Sequence, residues 1–439
     1  MLHLFLLLLG TEMVRSRWRI VFTLGCVWFL LGMFILVDAL DDDTLIPIRG
    51  LAGLLLLEGF LTLASAAGST GAARRLRVVK GAGLVVVGAL AVTNSAGGNI
   101  ALALIIGVAF AADGVLKITA ARLIRFRGWR TVQGLGLLSL VLSVFTLQPW
   151  PTWYVGTIGA NIGVALALTG CGAMQIASRL RKMEPNSPVS ELFGAAARHR
   201  PVPERATRGQ AQGELIVHVW TPKGGVEGGE DGRPVPHHRP VIGRYIATLD
   251  ADGVISTGHT AIEVAPDLYI SHYPAEEIER SAIDFRQSLR GTADNDRTGW
   301  FQPSYTEEAA GWCPSTVQVH FDDFNAEALR EFWENYRKDA TYNLTARNCS
   351  TVVVAALDAA LEGSLAKEQR LRSYWPEVVR AALSPELWVA AVLRKRAETM
   401  AWTPGLALDY AWALNAVLKP QAVGWATVAR RALQRAKRA

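Results

Sequence analysis

The chain has 439 residues, half of them hydrophobic, and a formal net charge of +6. That length suits two or three domains, and the apolar excess is concentrated in the first 180 residues. The basic residues there sit between apolar segments, where they report membrane orientation, so we read no nucleic-acid partner. The four cysteines have no framework spacing, and Cys26 and Cys171 fall inside apolar stretches, which excludes a disulfide scaffold.

Residues 1–10 are apolar but too short to span, with no basic start and no small-residue cleavage site. We read them as an over-long start, with Met13 as the alternative first residue. Six stretches then have the length of a transmembrane helix: 20–40, 45–67, 78–94, 100–120, 132–147 and 153–178.

They fall into three hairpins, because Trp18-Arg19-Ile20-Val21 with Gly25, Leu76-Arg77-Val78-Val79 with Gly83, and Trp129-Arg130-Thr131-Val132 with Gly136 repeat one pattern. The second helix of each unit carries a related step, Glu58-Gly59, Asp113-Gly114 and Cys171-Gly172. Small residues there let helices approach closely in lipid. Glu58 and Asp113 are intramembrane carboxylates, suited to proton sensing or relay, or else paired within the bundle, as Asp113 is with Lys117 one turn on.

Arg15, Arg17 and Arg19 precede the first stretch, Arg74, Arg75, Arg77 and Lys80 lie between the second and third, Arg122, Arg125, Arg127 and Arg130 between the fourth and fifth, and Arg179, Arg181 and Lys182 after the last. The alternate connections are acidic or uncharged. By the positive-inside rule both ends of the bundle face the cytoplasm of a bacterial inner membrane. Residues 15–182, with this threefold repetition, resemble the HdeD family of acid-resistance membrane proteins.

Residues 183–213 are polar, rich in Pro and Gly, and read as a linker. Residues 215–220 alternate like a strand. Residues 224–240 form a second loop, in which adjacent His237 and His238 lack the spacing of a metal site. No metal and no cofactor is implied.

Residues 244–249 read as a strand, and Gly258-His259-Thr260-Ala261-Ile262 opens another. With Leu268-Tyr269-Ile270-Ser271-His272-Tyr273 it forms a hairpin turning at Ala265-Pro266-Asp267. His259 and His272, 13 positions apart, are expected side by side. Glu263 shares the face of His259 but lies roughly 13 Å along the strand, too far to touch it. Between this hairpin and a strand at 316–321 lies an insertion holding Trp300, Phe301, Tyr305, Trp312 and Cys313. It is either a lid over an apolar substrate groove or a loop packed on the sheet.

Residues 325–339 read as an amphipathic helix whose apolar stripe, Leu329, Phe332, Trp333 and Tyr336, is core. Then comes Tyr342 through Asn348-Cys349-Ser350-Thr351 and an apolar run to Leu361. Asn348 is a good N-cap and Gly363 a good stop, so Cys349 opens a buried helix. First-turn amides and the helix dipole favour a thiolate there.

Gly258-His259-Thr260-Ala261-Ile262, Tyr269-Ile270-Ser271-His272 and Tyr342 through Asn348-Cys349 resemble the circularly permuted NlpC-like, papain-like cysteine hydrolases, which include the lecithin retinol acyltransferase group. The resemblance covers roughly 214–364 and implies an α+β domain with an antiparallel sheet. It implies Cys349 as nucleophile, His259 as general base and His272 as the third polar residue. Ser350-Thr351-Val352 replaces the acidic and aromatic residues usual after the cysteine in the acyltransferase group, which leaves the substrate open.

Residues 365–439 are helical and basic. The apolar stretch 406–418 is short for a span and packs on the catalytic domain or lies at the membrane surface, ahead of a basic end. The expectation is therefore an all-α six-helix transmembrane bundle followed by a cytoplasmic thiol hydrolase. Its substrate is a peptide or isopeptide amide, with a lipid acyl ester or thioester as the alternative. A non-enzymatic stress scaffold or sensor is the other class, and the bundle offers a surface for homo-oligomers.

Overall fold

The computed structural model describes residues 2–41, 48–67, 71–93, 96–126, 128–149, 154–183, 187, 189, 213–220, 248–249, 255–256, 258–276, 288–365, 380–382 and 384–419. The linker calls for most of 184–212, His237, His238 and the basic end after residue 419 lie outside them. Two compact units emerge. One comprises Met1–Ser16, Thr119–Val132 and Met183–Leu418; the other comprises Arg17–Ile118, Gln133–Lys182 and Lys419–Ala439.

Helices α1 (Leu2–Leu9) and α2 (Thr11–Ser16) come first. There follow α3 (Trp18–Leu40), α4 (Ile48–Ala67), α5 (Gly71–Thr93), α6 (Ala96–Ile124), α7 (Trp129–Leu147) and α8 (Val155–Lys182). Among the described residues, five helices are long and apolar enough to cross a membrane: Trp18–Leu40, Arg74–Thr93, Gly97–Ile124, Trp129–Leu147 and Gly159–Lys182. The expected second span corresponds to α4, whose described apolar part, Leu55–Ala66, is shorter. Many large apolar side chains on these helices, Leu30, Val79, Leu116 and Val141 among them, are exposed, as lipid-facing side chains are.

The pairing of these helices differs from three sequential hairpins. α3 packs on α8 and α4 on α5, while Ser143 on α7 donates to the Gly107 carbonyl of α6 at 2.7 Å. Each second helix of a repeat thus meets the first helix of the next repeat, and the last closes on the first. The close approaches are equivalent. A Cβ added at Gly25, Gly81 or Gly136 would lie 3.0 Å from the carbonyl oxygen of Gly170, Gly59 or Gly114 respectively. Gly172, expected in this role, and Gly83, the repeat-pattern counterpart of Gly25 and Gly136, face open space. The contact glycine falls two residues earlier in both cases, so the aligned sequence steps misplace it. Glu58 and Asp113 are both paired. Lys80 Nζ reaches Glu58 Oε1 at 2.8 Å. Asp113 takes Lys117 and, at 2.8 Å, the Ser139 hydroxyl.

In the other unit, a four-stranded antiparallel sheet has the order β5-β4-β1-β8, from β1 (Leu215–Trp220), β4 (His259–Val264), β5 (Leu268–Ile270) and β8 (Val317–Phe321). The short pair β2 (Thr248–Leu249) and β3 (Ile255–Ser256) stands apart. A third sheet joins β6 (His272–Pro274), β7 (Arg297–Phe301) and β9 (Thr341–Tyr342) in the order β6-β7-β9. The expected strand from Leu268 to Tyr273 is therefore broken at Ser271, and its second half pairs with a different sheet.

Strand alternation gives the main sheet two chemically distinct faces. Leu215, Val217, Val219, Ile262, Val264, Val319 and Phe321 make one apolar face. Helix α11 (Cys349–Leu361) packs there, with Thr260 Oγ1 bonded to Ser350 Oγ at 3.2 Å. His218, Trp220, His259, Ala261 and Glu263 line the other face. That face is covered by α9 (Tyr305–Gly311), which belongs to the insertion after β7. The insertion is thus packed on the sheet, the second of the two expected arrangements.

α10 (Ala326–Tyr336) is capped by Asn325 and buries Leu329, Phe332 and Trp333, as its periodicity predicts. α12 (Pro385–Glu398) and α13 (Pro404–Leu418) close the unit, and α13 is largely buried. Arg394 pairs with Asp358 of α11, and the Tyr410 hydroxyl donates to Asp358 at 2.7 Å. α13 is therefore packed in this unit and is not a surface helix. α1 is packed here too: Gly363 N and Leu365 N donate to the Leu7 and Leu8 carbonyls, each at 2.9 Å, and Leu4 and Leu8 are wholly buried. Residues 2–9 thus form part of a folded core.

Candidate functional site

Asn348 makes the Cys349 helix start where it does. Its Oδ1 accepts from Thr351 N at 2.8 Å and from Thr351 Oγ1 at 2.9 Å, while Nδ2 donates to the carbonyls of Leu344 and Trp402. The cap therefore also ties α11 to the loop before it and to the start of α13. An N-cap of this kind contributes about 1 kcal/mol.

Cys349 is buried. The hydrogen-bond partner of its sulfur is Ser350 Oγ at 3.8 Å, and neither His259 nor His272 bonds to it among the described residues. Burial pushes the thiol up, against hydrogen bonding from Ser350 and from the backbone and hydroxyl of Thr260, which pull it down. The expectation of a thiolate favoured by the helix start is therefore corrected: desolvation outweighs the first-turn amides. The sulfur lies against Thr260, whose side chain points to the face of the sheet opposite that of His259, so the Cys349 sulfur and the His259 ring are not brought together on one face.

The two histidines do not orient each other as expected. β4 and β5 pair Val264 with Leu268, Glu263 with Tyr269 and Ile262 with Ile270. Extended to the strand start, this register sets His259 across from Tyr273, whose ring stacks on it at 4.0 Å. His272 then falls one position off, on the opposite face, because their separation of 13 is odd relative to the pairing. Its Nδ1 meets Tyr336 Oη at 3.1 Å and its Nε2 the Ala340 carbonyl at 3.4 Å. The polar partners of His259 are Ser271 Oγ, 2.8 Å from Nε2, and Glu308 Oε1, 3.3 Å from the same nitrogen. Glu263, the rival third residue, bonds His218 Nε2 at 2.9 Å, out of reach of His259 as its strand offset requires.

Burial lowers His259 to about 3, with the nearby His272 adding to the effect, and lowers His272 to about 4. Both rings are neutral near pH 7. Glu308 was missed by the sequence reading. Only 2 % exposed, it accepts from the hydroxyls of Tyr269 (Oε2, 2.7 Å) and Tyr273 (Oε1, 2.8 Å). The available signal was the cap Ser304, which accepts from Glu307 N and starts a helix one turn before Glu308.

The expected substrate-binding aromatics separate. Phe301 packs against His272, Trp333 and Tyr336 and belongs to the core. Trp312, half exposed, stacks on Trp220 at 5.7 Å and approaches the His259 ring edge-on at 6.5 Å. Trp300 is half exposed on β7. Of the three, Trp312 contacts the His259 ring, while Trp300 lies across from Tyr273, which stacks on that ring. Compared with family models, with curated proteins and with solved structures, the chain finds no match.

Proposed function

We propose that residues 214–364 form a membrane-tethered thiol hydrolase with Cys349 as nucleophile and His259 as base. On the resemblance to permuted NlpC-like hydrolases its substrate is a peptide or isopeptide amide, with acyl transfer or thioester cleavage on lipid as the alternative. The observation that carries the reading is the position of the sulfur at the first residue of a capped helix that packs on the antiparallel sheet. In this reading the Cys349 proton passes to His259 as sulfur bonds to the carbonyl carbon, which requires the start of β4 to turn, because His259 and the Cys349 helix lie on opposite faces of the sheet. The Cys349 amide then holds the oxyanion, and His259 returns the proton to the leaving amine as the C–N bond breaks. Water resolves the acyl-enzyme.

The membrane topology in this reading has six crossings, and the unit composition supports it. Gly291 N donates to the Ile124 carbonyl at 2.7 Å, and Leu7 and Leu8 accept from Gly363 and Leu365. A folded unit lies on one side of a bilayer, so residues before α3, between α6 and α7, and after α8 share a side. An even number of crossings between each pair of segments is met when α4 crosses with the other five. The arginine-rich connections sit on that shared side, which makes it cytoplasmic in a bacterial inner membrane.

A second reading, a non-enzymatic membrane scaffold or sensor related to HdeD-like bundles, is favoured by the raised thiol and by the lack of a Cys349–imidazole bond. Iodoacetamide labelling of the full chain in micelles, read by intact mass and peptide mapping, separates the two. The hydrolase reading requires preferential modification at Cys349, abolished in Cys349→Ala and kept in Cys313→Ala. Equal modification of Cys313 and Cys349 supports the scaffold.

A further inference from the structure

On the face of the main sheet turned away from the Cys349 helix, a serine hydroxyl, an imidazole and a carboxylate stand in a hydrogen-bonded line. His218 lies on β1, with Gln318 of β8 directly across on one side and Ala261 of β4 on the other. Glu263 is two positions along β4 from Ala261, hence on the same face. Its Oε2 lies 2.9 Å from His218 Nε2, and Ser315 Oγ, just ahead of β8, lies 3.0 Å from Nδ1. We propose that these residues form a second, serine-based acyl-transfer site, with Ser315 as nucleophile, His218 as base and Glu263 positioning the ring, and that its substrate is a carboxylic ester.

The partners assign the protons. A carboxylate accepts, so the ring N–H is at Nε2 and the lone pair at Nδ1. Gln318 Nε2 donates to Ser315 Oγ at 3.2 Å. Tyr305 Oη accepts from Ser315 N at 3.2 Å and gives its own proton to Ser315 Oγ at 3.2 Å. The serine oxygen thus has two donors, and its own O–H goes to Nδ1. Tyr305, which opens α9, also stacks on the imidazole at 4.0 Å and holds its plane. Burial lowers His218 against the pull of Glu263, so the ring rests neutral near pH 7, as a base must. Ser315 is partly exposed and Gln318 exposed, so the oxygen is open to substrate on the side of the amide.

In the reaction Ser315 Oγ bonds to the ester carbonyl carbon as its proton passes to His218 Nδ1. The Gln318 amide, displaced from Oγ, donates to the oxyanion. The bond from the carbonyl carbon to the alcohol oxygen then breaks, and His218 gives its proton to the leaving alkoxide. Water, deprotonated in turn by His218, releases the acid and restores Ser315. A single amide donor to the oxyanion suits an ester, whose alcohol leaves more readily than an amine.

The test is labelling of the full chain in micelles with an alkyl fluorophosphonate, read by intact mass and peptide mapping. Ser315 Oγ bonds to phosphorus, fluoride leaves, and the serine proton passes to His218 and on to solvent. Wild type is expected to gain an adduct at Ser315, and Ser315→Ala to lose it. His218→Gln should slow it about a hundredfold or more, and Glu263→Gln about tenfold or more, with Glu263→Asp recovering part of the rate. No adduct at Ser315 overturns the proposal, as does a His218→Gln rate equal to wild type, which would mark Ser315 as an exposed hydroxyl only. A Glu263→Gln rate equal to wild type overturns the positioning role. In a Cys349→Ala background, which removes any thiol contribution, p-nitrophenyl butyrate should be hydrolysed and the Ser315→Ala change should abolish it; turnover that survives that change overturns the ester assignment. A measurement without a folding risk is the ring-nitrogen NMR spectrum of wild-type chain labelled at histidine. Protonation of His218 at Nε2 is expected, and protonation at Nδ1 overturns the site.

Discussion

Replacing Asn348 separates capping from anchoring at the helix that carries Cys349. Asn348→Ala removes the Oδ1 bonds to Thr351 and the Nδ2 bonds to the Leu344 and Trp402 carbonyls. The cap contributes about 1 kcal/mol, and each buried carbonyl left without its donor costs about 1 kcal/mol or more. The sum is about 3 kcal/mol. Asn348→Ser keeps a capping oxygen and loses both donors, so it should cost about 2 kcal/mol. At about 1.4 kcal/mol per tenfold, amides of residues 352–361 should exchange with deuterium about a hundredfold faster in the Ala variant and roughly thirtyfold faster in the Ser variant. Exchange limited to α11, read by mass spectrometry of peptides from the full chain, is the relevant assay because the chain has two units and no single unfolding transition. An Ala variant within threefold of wild type would refute the reasoning. Equal acceleration in both variants would show that the cap itself contributes nothing.

Two further outcomes follow from burial and from close packing. His259 and His272 are held below the ordinary histidine value, at about 3 and about 4, so they stay neutral in the folded unit while the unfolded chain binds protons below about pH 6.5. Their contribution is present above that pH and is lost as pH falls, at up to about 1.4 kcal/mol per pH unit for each ring. The thermal midpoint should therefore drop between pH 6.5 and 4.5, and less steeply in a His259→Gln, His272→Gln double variant; parallel curves would contradict the assignment. In the bundle, Gly136→Leu should lower the micelle unfolding midpoint, because its Cβ meets the Gly114 carbonyl at 3.0 Å. Gly134→Leu, facing open space, should not, and equal effects would count against the helix pairing.

The apolar spans, the β4–β5 hairpin, the Asn348 cap and the core stripe of α10 were legible because each rests on local periodicity or a local hydrogen bond. What was not legible depends on partners distant in sequence. An apolar segment of eight residues reads the same as a core helix, a leader or an interfacial segment, and only Gly363 and Leu365 reveal α1 as core. Glycines recur along the spans, so the sequence offers Gly83 as readily as Gly81, and the facing helix decides between them. In the site, side-by-side histidines were read from a hairpin without knowing its register. One position of offset moved His272 to the other face and brought Ser271 to His259. Glu308 was invisible because its meaning comes from Tyr269, Tyr273 and His259, at separations of 35 to 49 residues.

The raised thiol and the neutral imidazole together constrain how the proposed chemistry proceeds. A helix start lowers a cysteine most when the sulfur is also partly solvated, and here burial removes that solvation. A free thiolate waiting at Cys349 is therefore disfavoured, as is an imidazolium waiting at His259. Neither ion is stable alone in this interior. Proton transfer must then accompany attack on the carbonyl, with substrate present to take the negative charge onto the oxyanion. Under this constraint the helix dipole is secondary to the loss of solvent around the sulfur.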